Sequence, residues 1–245
     1  MRRYIGAFIA GVKENLEYRE GIVGDLLYYL ISIVVLYAIW RLLTSSDFLP
    51  YFIVVNLLLP TGDIYNTISS NYQTAIRKGW DVQFAKPVDA FLFRLSYDLG
   101  EMALPYLSGA AVGILALHML GIWVSIPVLI VSVPFALMLE ASLAYLISGF
   151  TFFTHTTWGI RVVVWFSDLL TGGRMFPLYL AAPAMLGILS LTPFVHKGFF
   201  LVEAVLHGYL PVESYVALAA WSLVIGSAGF VLHNKGWKVF EAQGG

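Results

Sequence analysis

The sequence predicts an all-α integral membrane protein, with six transmembrane helices, an N-terminal amphipathic helix in the membrane interface, and a re-entrant helical hairpin before the last span. Three observations carry that prediction. Apolar residues make up 59% of the 245 and charged residues only 12%, whereas soluble domains are roughly one-quarter charged, so burying these side chains requires lipid. Six apolar stretches, near 22–43, 48–70, 98–119, 124–150, 157–172 and 212–233, approach the roughly 20 residues needed to cross about 30 Å of hydrocarbon. With the N-terminus cytoplasmic, Arg2, Arg3, Lys13, Arg19, Arg77, Lys78, Lys86, Arg94, Arg161, Lys235 and Lys238 lie inside, and Arg41, Arg174 and Lys197 outside. That asymmetry satisfies the positive-inside rule and places both termini in the cytoplasm.

The first element, 1–20, is not a signal peptide: Arg2 and Arg3 precede an apolar run, but Lys13, Glu14 and Asn15 follow it with no small-residue cleavage site. Tyr4, Ile5, Phe8, Ile9, Val12 and Leu16 recur at helical spacing, with most charges off that stripe, as in a helix lying on the inner membrane surface. In the second span, 48–59 is apolar apart from Asn56, whereas Asp63, Asn66, Thr67, Ser70 and Thr74 share one face after Pro60. Polar groups in hydrocarbon are costly, so that face looks onto a translocation path or a second subunit, or else projects past the bilayer into the cytoplasm.

Between the second and third spans the segment 71–95 is polar, with Arg77-Lys78-Gly79-Trp80-Asp81 at its centre and Lys86-Pro87 set to start a helix. Val88, Phe91, Leu92 and Leu95 follow at i, i+3, i+4 and i+7 as one apolar face, with Lys86, Asp89 and Arg94 beside it. Arg94, Asp98 and Glu101 also share a face, so Arg94 is set to pair with Asp98. Glu140 sits well inside the fourth span and needs a partner or a proton, with Arg161, His155 and His118 as candidate partners, or it serves as a helix-packing hydrogen bond.

After the fifth span, Asp168 and Arg174 flank Leu169-Leu170-Thr171-Gly172-Gly173, and 175–210 stays apolar while broken by Pro177, Pro183, Pro193 and several glycines. A helix-break-helix that dips into the outer leaflet, over about 173–210, explains this composition if its backbone is covered by protein or water. One extra full crossing is disfavoured because it would move Lys235 and Lys238 outside.

The chain contains no G-x-x-x-x-G-K-[ST], no H-E-x-x-H and no G-x-S-x-G, and it has no cysteine. It therefore offers no phosphate cradle, zinc site or nucleophile elbow of its own, and no metal or cofactor is expected in it. Its basic residues follow topology rather than one stripe, which argues against a nucleic-acid partner. A membrane-embedded enzyme lacks a nucleophile–base pair.

With its N-terminal amphipathic helix, six spans, Lys86-Pro87 loop, Gly172-Gly173-Arg174-Met175-Phe176-Pro177-Leu178 followed by Pro183 and Thr192-Pro193-Phe194, and a tail from Lys235-Gly236-Trp237 to Gly244-Gly245, the chain resembles permease subunits of the ABC-2 (type-2 ABC exporter) superfamily in its small prokaryotic branch. The resemblance spans nearly the full length. It implies a multi-pass subunit in the plasma (inner) membrane of a prokaryote, paired with a second permease, identical or paralogous, and with two copies of a separate ATP-binding protein that holds ATP and magnesium. It also implies that the coupling element falls within 79–94, so that Gly79, Trp80, Lys86, Pro87, Val88, Asp89, Phe91, Leu92 and Arg94 form the ATPase interface. The re-entrant segment would then contain Gly172, Gly173, Arg174, Phe176, Pro177, Pro183 and Pro193. Asp63, Asn66, Thr67, Ser70 and Glu140 are more polar than the family's commoner pattern and mark the translocation path or subunit interface. Such a chain moves an amphipathic substrate outward without hydrolysing ATP itself. The alternative is a proton- or cation-coupled transporter or channel using Glu140, Asp63 and Asp98.

Overall fold

The computed structural model describes residues 2–44, 46–59, 64–77 and 89–239. All regular structure among them is helical. Ten helices follow in order: α1 Arg2–Glu17, α2 Arg19–Leu43, α3 Leu49–Leu58, α4 Ile64–Arg77, α5 Ala90–Met119, α6 Ile126–Gly149, α7 Trp158–Thr171, α8 Pro183–Leu189, α9 Pro193–His207 and α10 Val212–Val239. Among these residues four helices are long and apolar enough to cross a membrane, and the bent pair α8 and α9 makes up to five.

Helix α1 has the expected amphipathic pattern, and the face that packs on the rest of the protein lies beside its apolar stripe. Its buried residues are Ala7 and Gly11, while Ile5, Phe8, Ile9 and Leu16 of the apolar stripe stay exposed. A Cβ on Gly11 would overlap the Tyr97 carbonyl, and one on Gly100 would overlap the Phe8 carbonyl. Two glycines thus let α1 and α5 cross with their backbones in contact, as small residues do between membrane helices.

The expected second span is two helices rather than one. Asp47 Oδ1 accepts from the Leu49 N–H (3.1 Å) and Pro50 sits in the first turn, which starts α3. The helix then widens into a π turn over Val54–Leu58, and Leu59 leaves it in an extended conformation (φ −101°, ψ 138°). A residue before proline is pushed out of the α region, so Leu59-Pro60 breaks the span. The expected single span over 48–70 treats Pro60 as a boundary of polarity rather than as a break in the helix.

Helix α5 begins at Ala90, where the Asp89 carboxylate caps the Leu92 N–H (2.8 Å). The expected start at Pro87 lies outside the described residues. Helices α6 and α10 pack closely because a side chain on Gly229 or Gly236 would meet Tyr145 and Phe152, and one on Gly149 would meet Leu232.

Contacts sort the chain ends into two groups. At one end the Asp89 N–H donates to Tyr4 Oη (3.2 Å), Gln73 Nε2 donates to the His155 carbonyl (3.0 Å), and Phe152 packs on Trp237. At the other, Trp40 Nε1 donates to the Met175 carbonyl (2.9 Å), Tyr51 Oη donates to the Gly173 carbonyl (2.7 Å), and the Ser125 N–H donates to the Val205 carbonyl (3.0 Å). The segment after α7 therefore starts and finishes at the same end. Between those points α8 and α9 meet at 105°. His196 pins that bend, its Nε2 donating to the Ser190 carbonyl (2.8 Å) and its Nδ1 lying 3.2 Å from Ser214 Oγ on α10.

Candidate functional site

The most concentrated chemistry lies where α9 turns inward. Lys197 occupies its π turn, His196–Phe200, and is fully buried, with its Nζ 2.6 Å from Glu140 Oε1 on α6 and 2.9 Å from Asp168 Oδ1 on α7. Arg174 Nη1 approaches Asp168 Oδ2 at 3.7 Å. The second oxygen of Glu140 accepts the backbone N–H of Tyr65 in the first turn of α4 (3.0 Å). All three charged side chains are 0% exposed and Arg174 is 7% exposed. Two cations against two carboxylates leave the quartet neutral, which is how buried charge becomes tolerable.

Backbone geometry brings this quartet together. Gly173 ends α7 with φ +81°, a left-handed conformation that favours glycine, and any Cβ there would overlap Tyr51 Oη. A Cβ on Gly198 would overlap the Gly172 carbonyl. These two close approaches let α9 descend beside the end of α7, and the π turn aims Lys197 at both acids. Phe176 packs edge-on against Trp40, while Pro177 precedes a 3₁₀ turn, Leu178–Leu180; Pro183 and Pro193 each occupy the first turn of a short helix.

None of the three partners expected for Glu140 is its partner. Arg161 Nη1 reaches the Asn66 carbonyl (3.4 Å), the His155 carbonyl accepts from Gln73, and His118 packs edge-on against Trp123. The charge pattern places Lys197 on the outer side, whereas the structure buries it completely. The overlooked signal was its position beside a glycine within Pro193-Phe194-Val195-His196-Lys197-Gly198-Phe199-Phe200, where an ammonium has to find a carboxylate.

The polar stripe of α4 divides. Asp63 lies outside the described residues; Asn66, Thr67 and Ser70 are half-buried, and Thr67 lines a cavity of about 350 Å³ between α1, α2, α3, α4 and α5. Gln73 and Arg77, further along α4, hold the α6–α7 connection. Gln73 Oε1 accepts from Thr157 Oγ1 (2.7 Å), and Arg77 Nη2 donates to the Thr151 (3.2 Å) and Thr154 carbonyls.

Of the expected coupling residues, Gly79, Trp80, Lys86, Pro87 and Val88 lie outside the described residues. Those described do not form one outward face. Phe91 is 5% exposed and points into a cluster with Tyr72 (5.7 Å between ring centroids), Tyr145 (4.7 Å) and His233 (5.9 Å). Leu92, one step around the helix, is 47% exposed. Arg94 pairs with Asp98 as expected, its Nε donating at 2.9 Å, and Asn71 Nδ2 donates to the other oxygen of that carboxylate (3.0 Å). No group of three or more His, Cys, Asp or Glu able to hold a metal ion occurs among the described residues. Neither protein-family models nor curated protein sequences match this chain.

Proposed function

We propose that this chain is the transmembrane subunit of an ATP-driven exporter, in which a separate ATP-binding protein docks on the end carrying 71–95 and drives the bundle between inward- and outward-open states. In this reading α2, the broken pair α3 and α4, α5, α6, α7 and α10 are the six crossings, and α8 with α9 is re-entrant from the outer face. The segment's return to its own starting end supports that assignment. Burial of Lys197 and Arg174 sharpens the orientation, because it removes two of the three outer cations from the charge count and leaves Arg41. Two permease chains and two ATP-binding subunits make the complex.

The carrying observation is the placement of Phe91 and Leu92. Leu92 offers an exposed apolar contact at the foot of a 30-residue helix. Its neighbour Phe91 is wedged among side chains of α4, α6 and α10, so a push on this foot moves four helices together. A partner that binds one state of the bundle better than the other shifts its population.

The test is co-purification of ATPase activity with the tagged chain from its native membranes. Leu92→Asp is expected to leave the chain inserted and monodisperse while removing that activity. Normal complex formation and transport in this variant would sink the coupling assignment. The buried Glu140–Lys197 pair supports a second reading, a proton- or cation-coupled transporter. It is favoured instead if the purified chain alone transports under a proton gradient and Glu140→Gln stops it.

A further inference from the structure

Arg161 takes no part in the coupling foot or the buried quartet. It stands half-buried in the first turn of α7 with no carboxylate partner among the described residues, whereas Arg94, Lys197 and Arg174 each have one. Its Nη1 reaches the Asn66 carbonyl on α4 at 3.4 Å, a long contact to an acceptor that Ser69 Oγ also uses (3.2 Å). Its Nε is sealed from solvent and finds no acceptor. A guanidinium has five N–H donors, so most of this one's hydrogen-bonding capacity is open, in a helix where unmatched charge is costly.

The surroundings favour an anion that brings its own apolar chains. Trp158, at i−3 from Arg161 and on the same side of α7, is 64% exposed at the helix end, and tryptophan in that position marks the level of lipid headgroups. Further along the helix Val162, Val163 and Phe166 are exposed, a surface for acyl chains. A guanidinium on its long apolar stem reaches from within the hydrocarbon towards the headgroup level. Thr157, the N-cap, gives its Oγ1 to Gln73 (2.7 Å) and does not cap α7, so the positive end of the helix adds to the charge of Arg161. Across the seam, Asn66 and Ser70 lie one turn apart on α4, half-buried and without a side-chain hydrogen bond among the described residues.

We propose that the seam between α4 and the start of α7 binds the phosphate of an anionic phospholipid. Arg161 holds the phosphate through its Nη edge, bidentate as arginine–phosphate pairs commonly are. The Asn66 amide and Ser70 hydroxyl donate beside it, and the acyl chains run along Val162, Val163 and Phe166. A single positive charge, with no acid among the described residues of the seam, matches a headgroup of net negative charge better than a zwitterionic one, whose own cation offsets its phosphate. A soluble phosphate lacks the chains that cover the exposed valines and Phe166. That the leaflet is the inner one rests on the orientation proposed above; the binding does not.

The test is native mass spectrometry of the full-length chain in detergent, titrated with dioleoylphosphatidylglycerol and, separately, with dioleoylphosphatidylcholine. The expected result is a first phosphatidylglycerol bound about tenfold more tightly than phosphatidylcholine, equivalent to about 1.4 kcal/mol. Arg161→Gln weakens that phosphatidylglycerol about tenfold. Asn66→Asp, which gives Arg161 a carboxylate within the protein, weakens it likewise. Lys235→Gln removes an exposed cation at the same end of the molecule and leaves the binding unchanged, and added sn-glycerol 3-phosphate does not displace the lipid. Elution profile and melting curve report that each variant is folded. The proposal is overturned if the two lipids bind alike, if Arg161→Gln and Asn66→Asp bind phosphatidylglycerol as the parent does, or if Lys235→Gln weakens it as much. Displacement by glycerol 3-phosphate also overturns it, because the site is then one for a soluble anion.

Discussion

Replacing Lys197 by methionine removes the amine that Glu140 and Asp168 share. Its Nζ lies 2.6 Å from one carboxylate and 2.9 Å from the other, and at an effective dielectric constant of about 20 each attraction is worth about 6 kcal/mol. Mutual repulsion of the acids and desolvation of several kcal/mol per ion oppose that sum. The net cost of deleting one partner from such a buried set is about 3–5 kcal/mol, because uncompensated charge remains in the interior. In Lys197→Met with Glu140→Gln, one cation and one anion leave together, Asp168 keeps Arg174 at 3.7 Å, and the new amide can still accept the Tyr65 N–H. That double variant is expected within about 2 kcal/mol of the parent, since neutral replacement of a buried pair is often tolerated. Denaturant unfolding in detergent, followed by tryptophan fluorescence, gives both values, and the double-mutant cycle gives the coupling. The reasoning fails if Lys197→Met loses less than about 1 kcal/mol, or if the double variant is no more stable than Lys197→Met alone.

Two further substitutions test neighbouring parts of the argument. Gly198→Ala places a methyl group inside the Gly172 carbonyl and is expected to lower the folded, monodisperse yield sharply by driving α9 off α7. Gly187→Ala, with open space around it, is the neutral control on the same chromatogram. Phe91→Ala is expected to destabilise by about 3–5 kcal/mol, the range for emptying a buried aromatic site, whereas Leu92→Ala changes stability by less than about 0.5 kcal/mol. Equal effects of the two on the melting curve would contradict the inward and outward assignment of these adjacent residues.

The legible parts of this molecule are those that local rules decide. Fractional apolarity and the lengths of the runs around α2, α5, α6 and α10 foretell helices that suit a membrane, because each satisfies its backbone internally and shows the same apolar length wherever it packs. The glycines and prolines from Gly172 to Pro193 foretell a broken segment. The Arg94–Asp98 pair follows from i,i+4 spacing within one helix. Other features were hidden for a physical reason. The face of α1 that docks lies beside its apolar stripe, because contact with α5 is set by where two glycines allow close approach. Phe91 and Leu92 are equally apolar in sequence, and only the aromatic rings of α4, α6 and α10 decide that one is core and the other surface.

Glu140 shows the division most clearly. The sequence by itself determined that this carboxylate, surrounded by apolar neighbours in α6, required a partner, since unpaired charge in such surroundings costs several kcal/mol. Which cation answers it was decided by tertiary structure alone. Lys197 is 57 residues away and reads locally as an ordinary outer charge, until the folding back of α8 and α9 and the contact of Gly198 with Gly172 carry it inside.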